Sequence, residues 1–354
     1  MHGRFENRLV GDMHQLTLTA AENAAINPVL AEVAAEHATI EDEALVRQAS
    51  VLAGALPVRL LTFLEEFRLS EPAALCLVSG LAVDEQRIGP TPEHWRDRPA
   101  GAATFPQEIF FLLLAARLGD VFGWGTQQDG RIMHDVLPIR GHEHHEIGSN
   151  SLQHLSWHTE DAFHPCRGDY VALMCLKNPD GAETMVSAGP DVDWSSIDVE
   201  ALFAPDFTIM PDNSHQPQDA AGSSGDPELD RLRRRSFALI AAWNEQPDPR
   251  PLLFGDHGDP YLALDPYHMD PAAWSERSQL AFKQLCAELE ANMRDLVLQP
   301  GDVVFIDNFR AVHGRKSFVP RYDGTDRWLK RLNITRNLRG SRAWRLAADS
   351  RVIY

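Results

Sequence analysis

Trp157-His158-Thr159-Glu160-Asp161-Ala162-Phe163, answered far downstream by Asp307-Asn308-Phe309-Arg310-Ala311-Val312-His313-Gly314-Arg315, decides how this chain folds. In an extended strand residues two apart point to the same side, so His158 and Glu160 can face a single metal ion. A third ligand must then come from another strand. Gly301-Asp302-Val303-Val304-Phe305-Ile306-Asp307 reads as a turn and a buried apolar strand, which delivers His313 just past its end. Two imidazoles and one carboxylate on one face of an iron leave three positions open, which suits non-haem Fe(II) enzymes that bind a cosubstrate and dioxygen together. By itself His-x-Glu is a weak signal, since 15 His and 51 acidic residues produce such triplets by accident.

The segment that follows raises its weight. Arg321-Tyr322-Asp323-Gly324-Thr325-Asp326-Arg327 turns at Asp323-Gly324 and enters a strand, 328–335, that carries Arg331. A guanidinium beside the metal is the natural bidentate partner for the distal carboxylate of a dicarboxylate cosubstrate. Taken alone, either arginine reads equally well as a solvated strand end.

Outward from this centre the pattern divides in two. Residues 20–37 and 41–67 are spaced as helices, 75–81 as a short buried strand, and 107–119 as a helix with one strongly apolar side. Beyond Trp124 short strands alternate with turns, at 133–139, 170–176, 184–187, 207–210, 263–264, 303–305 and 328–335, with a further helix over 274–298. Residues 211–229 are too polar and too rich in Gly, Ser and Pro for core, and read as a lid or an insertion. The expected architecture is mainly β with flanking α: a double-stranded β-helix (jelly roll, cupin-like) core with a metal near one mouth. It forms one domain over 1–354, with a mostly helical wrapper at 1–120 and the core at 121–354, because the metal ligands tie the middle of the chain to its end.

The composition excludes several classes. A formal charge of -18 gives no basic face for nucleic acid or an anionic membrane. Cys76, Cys166, Cys175 and Cys286 are far apart, with neither zinc-knuckle nor disulfide-scaffold spacing. No apolar run approaches a membrane span, and the start of the chain lacks a leader's apolar stretch, so a cytoplasmic protein is expected. The run His142-Glu143-His144-His145-Glu146 fits no common zinc spacing and reads as a solvated loop.

These residues, with Phe122-Gly123-Trp124-Gly125-Thr126-Gln127-Gln128-Asp129-Gly130 and Asp135-Val136-Leu137-Pro138-Ile139, resemble the clavaminate-synthase-like branch of the Fe(II)/2-oxoglutarate-dependent oxygenases, nearest its free-amino-acid hydroxylases of the arginine β-hydroxylase type. The likeness runs from about Leu56 onward. It implies His158, Glu160 and His313 as iron ligands and Arg327, helped by Thr184, as the partner of the 2-oxoglutarate distal carboxylate. Arg331 would take a substrate's α-carboxylate, and Gln127 with Glu160 its α-ammonium. In the arginine hydroxylases two aspartates two residues apart hold the guanidinium; here Asp265 remains and Tyr267 stands at the second place, with Glu146 as a possible extra acceptor.

The implied reaction consumes 2-oxoglutarate and O2, releases succinate and CO2, and hydroxylates C3 or C4 of a free L-amino acid with a long polar tip, of the arginine, citrulline, lysine or ornithine type. Such products usually feed natural product biosynthesis in this family. Glu160 occupies the place that a halogenating relative leaves to a small residue. A carrier-tethered aminoacyl substrate, desaturation or cyclisation would use the same ligands, and a non-enzymatic cupin-like binding protein would retain neither the full triad nor Arg327.

Overall fold

The computed structural model describes residues 13–97, 103–216 and 225–354; the start of the chain and the middle of the expected 211–229 loop lie outside them. Two sheets face each other. The larger runs in the order β1 (Met13–Thr17), β2 (Leu75–Ser79), β11 (Val303–Asp307), β6 (Tyr170–Lys177), β13 (Trp328–Thr335), β3 (Asp120–Trp124) and β14 (Val352–Ile353), and β4 (Met133–Val136) shares an edge of β13 with β3. The smaller runs β10 (Arg294–Leu296), β7 (Thr184–Ala188), β12 (Ala311–Arg315) and β5 (Leu155–His158), all antiparallel. A two-stranded hairpin, β8 (Leu253–Gly255) with β9 (Pro260–Leu262), stands beside them.

Strand periodicity sorts the core into layers. In β11, Val304 and Ile306 face the smaller sheet with Leu173 of β6 and Val186 of β7, while Val303 and Phe305 face the helices. That outer layer consists of α1 (Ala20–Glu36), α2 (Glu43–Leu52), α3 (Val58–Ser70) and α5 (Phe105–Leu118). On the far side of the smaller sheet, α6 (Val199–Phe203), α7 (Pro227–Glu245) and α8 (Glu276–Ala291) close a third cluster around Phe207 and Leu285. The jelly-roll class expected from the alternating strands is thus the fold observed.

Several boundaries differ from the sequence expectation for local reasons. The 41–67 helix breaks at 53–57, where Pro57 can neither donate its backbone N–H nor let the helix continue, and α3 restarts behind it. Helix α5 is buried all round rather than on one side, because it lies between the other helices and the sheet. No strand forms at 207–210, where Phe207 makes only an isolated bridge to Arg250, and the strand expected at 263–264 ends earlier, at Leu262. Helix α7 starts inside the expected loop, capped by Asp226, whose carboxylate accepts from Glu228 N at 2.8 Å. His313 does not lie loosely past β11. The chain turns at Asn308–Arg310 and returns as β12 of the other sheet, with His313 paired across to His158 of β5.

Among the described residues no single helix is long and apolar enough to cross a membrane. All four cysteines are free thiols.

Two buried charge sites set expectations for stability. Lys330, on the helix-facing side of β13, is fully buried against Asp135 of β4 and, at 3.1 Å, Glu108 of α5; Asp135 also accepts from Trp328 Nε1 at 2.7 Å. Breaking a buried pair from one side typically costs about 3–5 kcal/mol. Lys330→Met is therefore expected to lower Tm steeply in a calorimetric scan, and an unchanged Tm would contradict the pairing. Burial pushes the Asp307 carboxyl up to about 7, against one supporting bond from Phe309 N at 2.9 Å. An unfolded aspartate titrates near 4, so the folded chain holds a proton that the unfolded chain releases, and stability falls as pH rises from about 4 to 7. Asp307→Asn should stabilise by up to ~4 kcal/mol above pH 7 and by little near pH 4, read from denaturation midpoints at both pH values.

Candidate active site

At one mouth of the sandwich the two sheets enclose a solvent-open cavity of about 810 Å³. The smaller sheet contributes His158, Thr184 and His313, the larger Leu173, and the approach and early turns of β13 add Arg327, Leu329 and Arg331. Glu160 follows β5, and Asp212, Ser214, Asp265 and His268 enter from the connecting segments.

His158, Glu160 and His313 come together as the spacing argument required. Glu160 Oε2 lies 3.6 Å from His158 Nε2 and 3.3 Å from His313 Nε2, and the two imidazole centroids are 4.8 Å apart. His158 Nδ1 donates to the Ser156 carbonyl at 2.8 Å, which leaves Nε2 as the ring's free lone pair. The backbone of Glu160 is clamped by Asn308: its N–H donates to Asn308 Oδ1 at 2.7 Å, and Asn308 Nδ2 donates to its carbonyl at 3.0 Å. Between the two ligands Thr159 points the other way, and its backbone N–H and hydroxyl both donate to the Leu264 carbonyl, at 2.9 and 3.2 Å. That zipper fixes Asp265 relative to the metal-facing groups.

Electrostatics fit a cation at this point. Burial opposes charge on His158, but Glu160 and Asp265 nevertheless hold its pKa up to about 10, so in the metal-free site a proton takes the place of positive charge. Glu160 is buried yet stays well below the usual carboxylate range, chiefly through Arg331, and burial lowers His313. A neutral nitrogen pair and a carboxylate whose donor atoms lie within 4.8 Å of one another suit ferrous iron with its remaining positions open.

Arg327 is buried, donates from Nη2 to Thr184 Oγ1 at 3.2 Å, and forms no ion pair with an acidic side chain among the described residues. Burial pulls its pKa down to about 10. An unpaired buried guanidinium in a cavity beside a metal site is complementary to an incoming carboxylate. Arg331 is held from three sides. It donates to Glu160 Oε1, to Gln127 Oε1 at 2.8 Å, and to Nδ1 of His134 at 2.8 Å; burial keeps His134 well below its usual pKa and therefore neutral.

Three groups lining the cavity carried no sequence signal: Asp212, Ser214 and His268. Ser214 accepts from Gln127 Nε2 at 2.5 Å, so the segment after Pro211 is tied directly to the Arg331 cluster. Asp265 accepts from His268 Nδ1 at 2.8 Å. Residues 266–268 form a 3₁₀ turn, in which positions three apart eclipse, so His268 lies over Asp265 while Tyr267 points outward, 52% exposed and not lining the cavity. Glu146 does line it, but its oxygens already accept from Ser156 N at 2.5 Å and Gln153 Nε2 at 2.9 Å.

A second cluster of metal-ligand types, Asp161, Asp212 and His215, is a hydrogen-bond knot: Asp161 accepts from Trp124 Nε1 at 2.6 Å and from His215 Nε2 at 2.8 Å, and His215 Nδ1 meets Thr126 Oγ1 at 2.7 Å. The histidines of 142–145 form no such cluster; His142 stacks on His145 with centroids 5.4 Å apart.

Comparison with known proteins places these features in a lineage. Residues 200–333 match the family model described as taurine catabolism dioxygenase TauD, TfdA family. The chain is 68% identical over 343 residues to the L-ornithine/L-arginine 3-hydroxylase of Catenulispora acidiphila, covering 97% of this chain and 100% of that one. It is 45% identical to the enduracididine beta-hydroxylase of Streptomyces hygroscopicus at the same coverage. Among solved structures, the non-heme iron oxygenase OrfP in complex with Fe, succinate and (3S)-hydroxy-L-Arg superposes with a TM-score of 0.89 at 41% identity, covering 96% of this chain and 99% of the other.

Proposed function

This chain belongs to the TauD, TfdA family of Fe(II)/2-oxoglutarate-dependent oxygenases, and from that premise we propose that it hydroxylates a free L-amino acid with a cationic side chain, ornithine or arginine, at C3. It is a non-haem iron dioxygenase using 2-oxoglutarate and O2. The observation that carries the substrate reading is the Arg331 cluster: one guanidinium and two acceptors, Gln127 Oε1 and Glu160 Oε1, gathered beside the metal site. An amino acid is a zwitterion, and this set receives both of its charges. Its carboxylate replaces the acceptors on Arg331, and its ammonium takes the oxygens that Arg331 releases.

In this reading His158, Glu160 and His313 hold the iron, and Arg327 with Thr184 holds the distal carboxylate of 2-oxoglutarate. When bound, iron(II) and 2-oxoglutarate supply the oxidising power that puts one atom of dioxygen into a C–H bond, with release of succinate and CO2. The chain's own groups choose that bond. Arg331 fixes the α-carbon, Asp265 draws the cationic tip to the opposite side, and the carbon chain lies between them across the metal. Asp212 and Ser214 cover the site from the segment after Pro211 and exclude water. The name of the 68% identical relative supports C3 as the position and both amino acids as candidates. A cytoplasmic setting and a role in natural product biosynthesis accord with such a substrate.

The test is succinate release by the Fe(II)-loaded protein with 2-oxoglutarate and ornithine, arginine, lysine, homoarginine or citrulline in turn. Mass spectrometry should find a product heavier by one oxygen, and NMR should place it at C3. Succinate no higher with any of these than without would reject the free-amino-acid reading.

A further inference from the structure

We propose that His268 is the second acceptor for the substrate's side-chain tip, working with Asp265, and that the pair selects a cationic tip over a neutral ureido tip. The proposal rests on the functional reading above and deepens it. Where a second carboxylate might be expected beside Asp265, Tyr267 turns to solvent, and the ring that lines the cavity is that of His268. His268 Nδ1 is 2.8 Å from Asp265 Oδ2. A carboxylate accepts, so Nδ1 carries the proton of the neutral ring, and Nε2 is left with a lone pair. That Nε2 is buried and has no hydrogen-bond partner among the described residues. The protein therefore holds one buried acceptor unsatisfied next to the carboxylate at the tip end of its cavity, and an arriving N–H donor completes it.

The surroundings keep this ring in place. The His268 carbonyl accepts from Met210 N at 2.9 Å, which ties the 3₁₀ turn to the segment leading into Asp212. Asp265 is fixed through Leu264 to Thr159, between the metal-facing His158 and Glu160. Asp265, His268 and Asp212 thus form an acceptor-rich end opposite Arg331. An ammonium or guanidinium offers donors and positive charge to both Asp265 and Nε2. The ureido group of citrulline offers donors without the charge, and its carbonyl oxygen, turned to this end, faces acceptors. The neutral tip is therefore the poorer fit.

The experiment measures binding of ornithine, arginine and citrulline by calorimetry to protein loaded with Mn(II) and 2-oxoglutarate, in the wild type, His268→Phe and His268→Gln. Phe keeps the ring but removes the acceptor; Gln can return an oxygen near the Nε2 position. We expect His268→Phe to weaken ornithine and arginine by tenfold or more and citrulline by less than threefold, and His268→Gln to recover part of the loss. Mn(II) and 2-oxoglutarate affinities, measured in the same titrations, report that each variant remains folded. If the wild type binds the cationic amino acids and His268→Phe binds all three in the wild-type ratio, the His268 proposal fails while the functional reading stands. If the wild type binds none of the cationic amino acids, both fail.

Discussion

Replacing His313 by alanine is expected to cut turnover by more than ~100-fold and to weaken metal binding in parallel, because partners one shell further out are already worth 10–100-fold at comparable centres. The ring is well placed to be missed in function and little missed in folding. It lies in the polar cavity between the sheets, 3.3 Å from Glu160, and its Nδ1 makes no hydrogen bond among the described residues, so no structural bond is lost with it. The check is twofold: succinate formation at saturating iron, and Mn(II) affinity by paramagnetic resonance. Wild-type turnover in His313→Ala would remove it from the ligand set.

The second large effect is expected at Arg327. Its guanidinium has a hydroxyl partner in Thr184 and no acidic one among the described residues, so its charge is held ready in a buried place. Each charge-assisted hydrogen bond is worth about 1.5–3 kcal/mol, and a carboxylate gripped by two of them loses roughly 10²–10⁴-fold in affinity when both go. Arg327→Ala should raise the KM for 2-oxoglutarate by at least ~100-fold. Without cosubstrate the same change removes an uncompensated buried cation, so the variant is expected to melt no lower than the wild type. Added 2-oxoglutarate should then raise Tm in the wild type alone. An unchanged KM would reject the assignment.

What the sequence made legible depended on how local each signal was. Two ligands two residues apart in a strand, and two arginines four apart on another, are set by strand geometry, and that geometry needs only a few neighbouring residues to read. The jelly-roll class followed from the same alternation. The side of the site formed by turns was not legible. Counting by twos from Asp265 leads to Tyr267, whereas the Pro266 turn counts by threes and brings in His268. Asp212 and Ser214 sit in a polar stretch without periodicity, and only tertiary contact with Gln127 shows what they cover. His313 was placed past a strand because nothing in Asp307–Ala311 announces that the chain reverses there into the opposite sheet.

The position of β5 has a practical consequence. It is the outermost strand of the smaller sheet, paired on one side only, with a register irregularity between His313 and Arg315, and it carries His158. Edge strands open more easily than central ones, so these amides should exchange with deuterium early in the metal-free protein. A bound ion would join His158 to His313 across the two strands and slow that exchange. Deuterium uptake at residues 155–158 would then serve as a gauge of metal occupancy in a preparation, independent of any turnover assay.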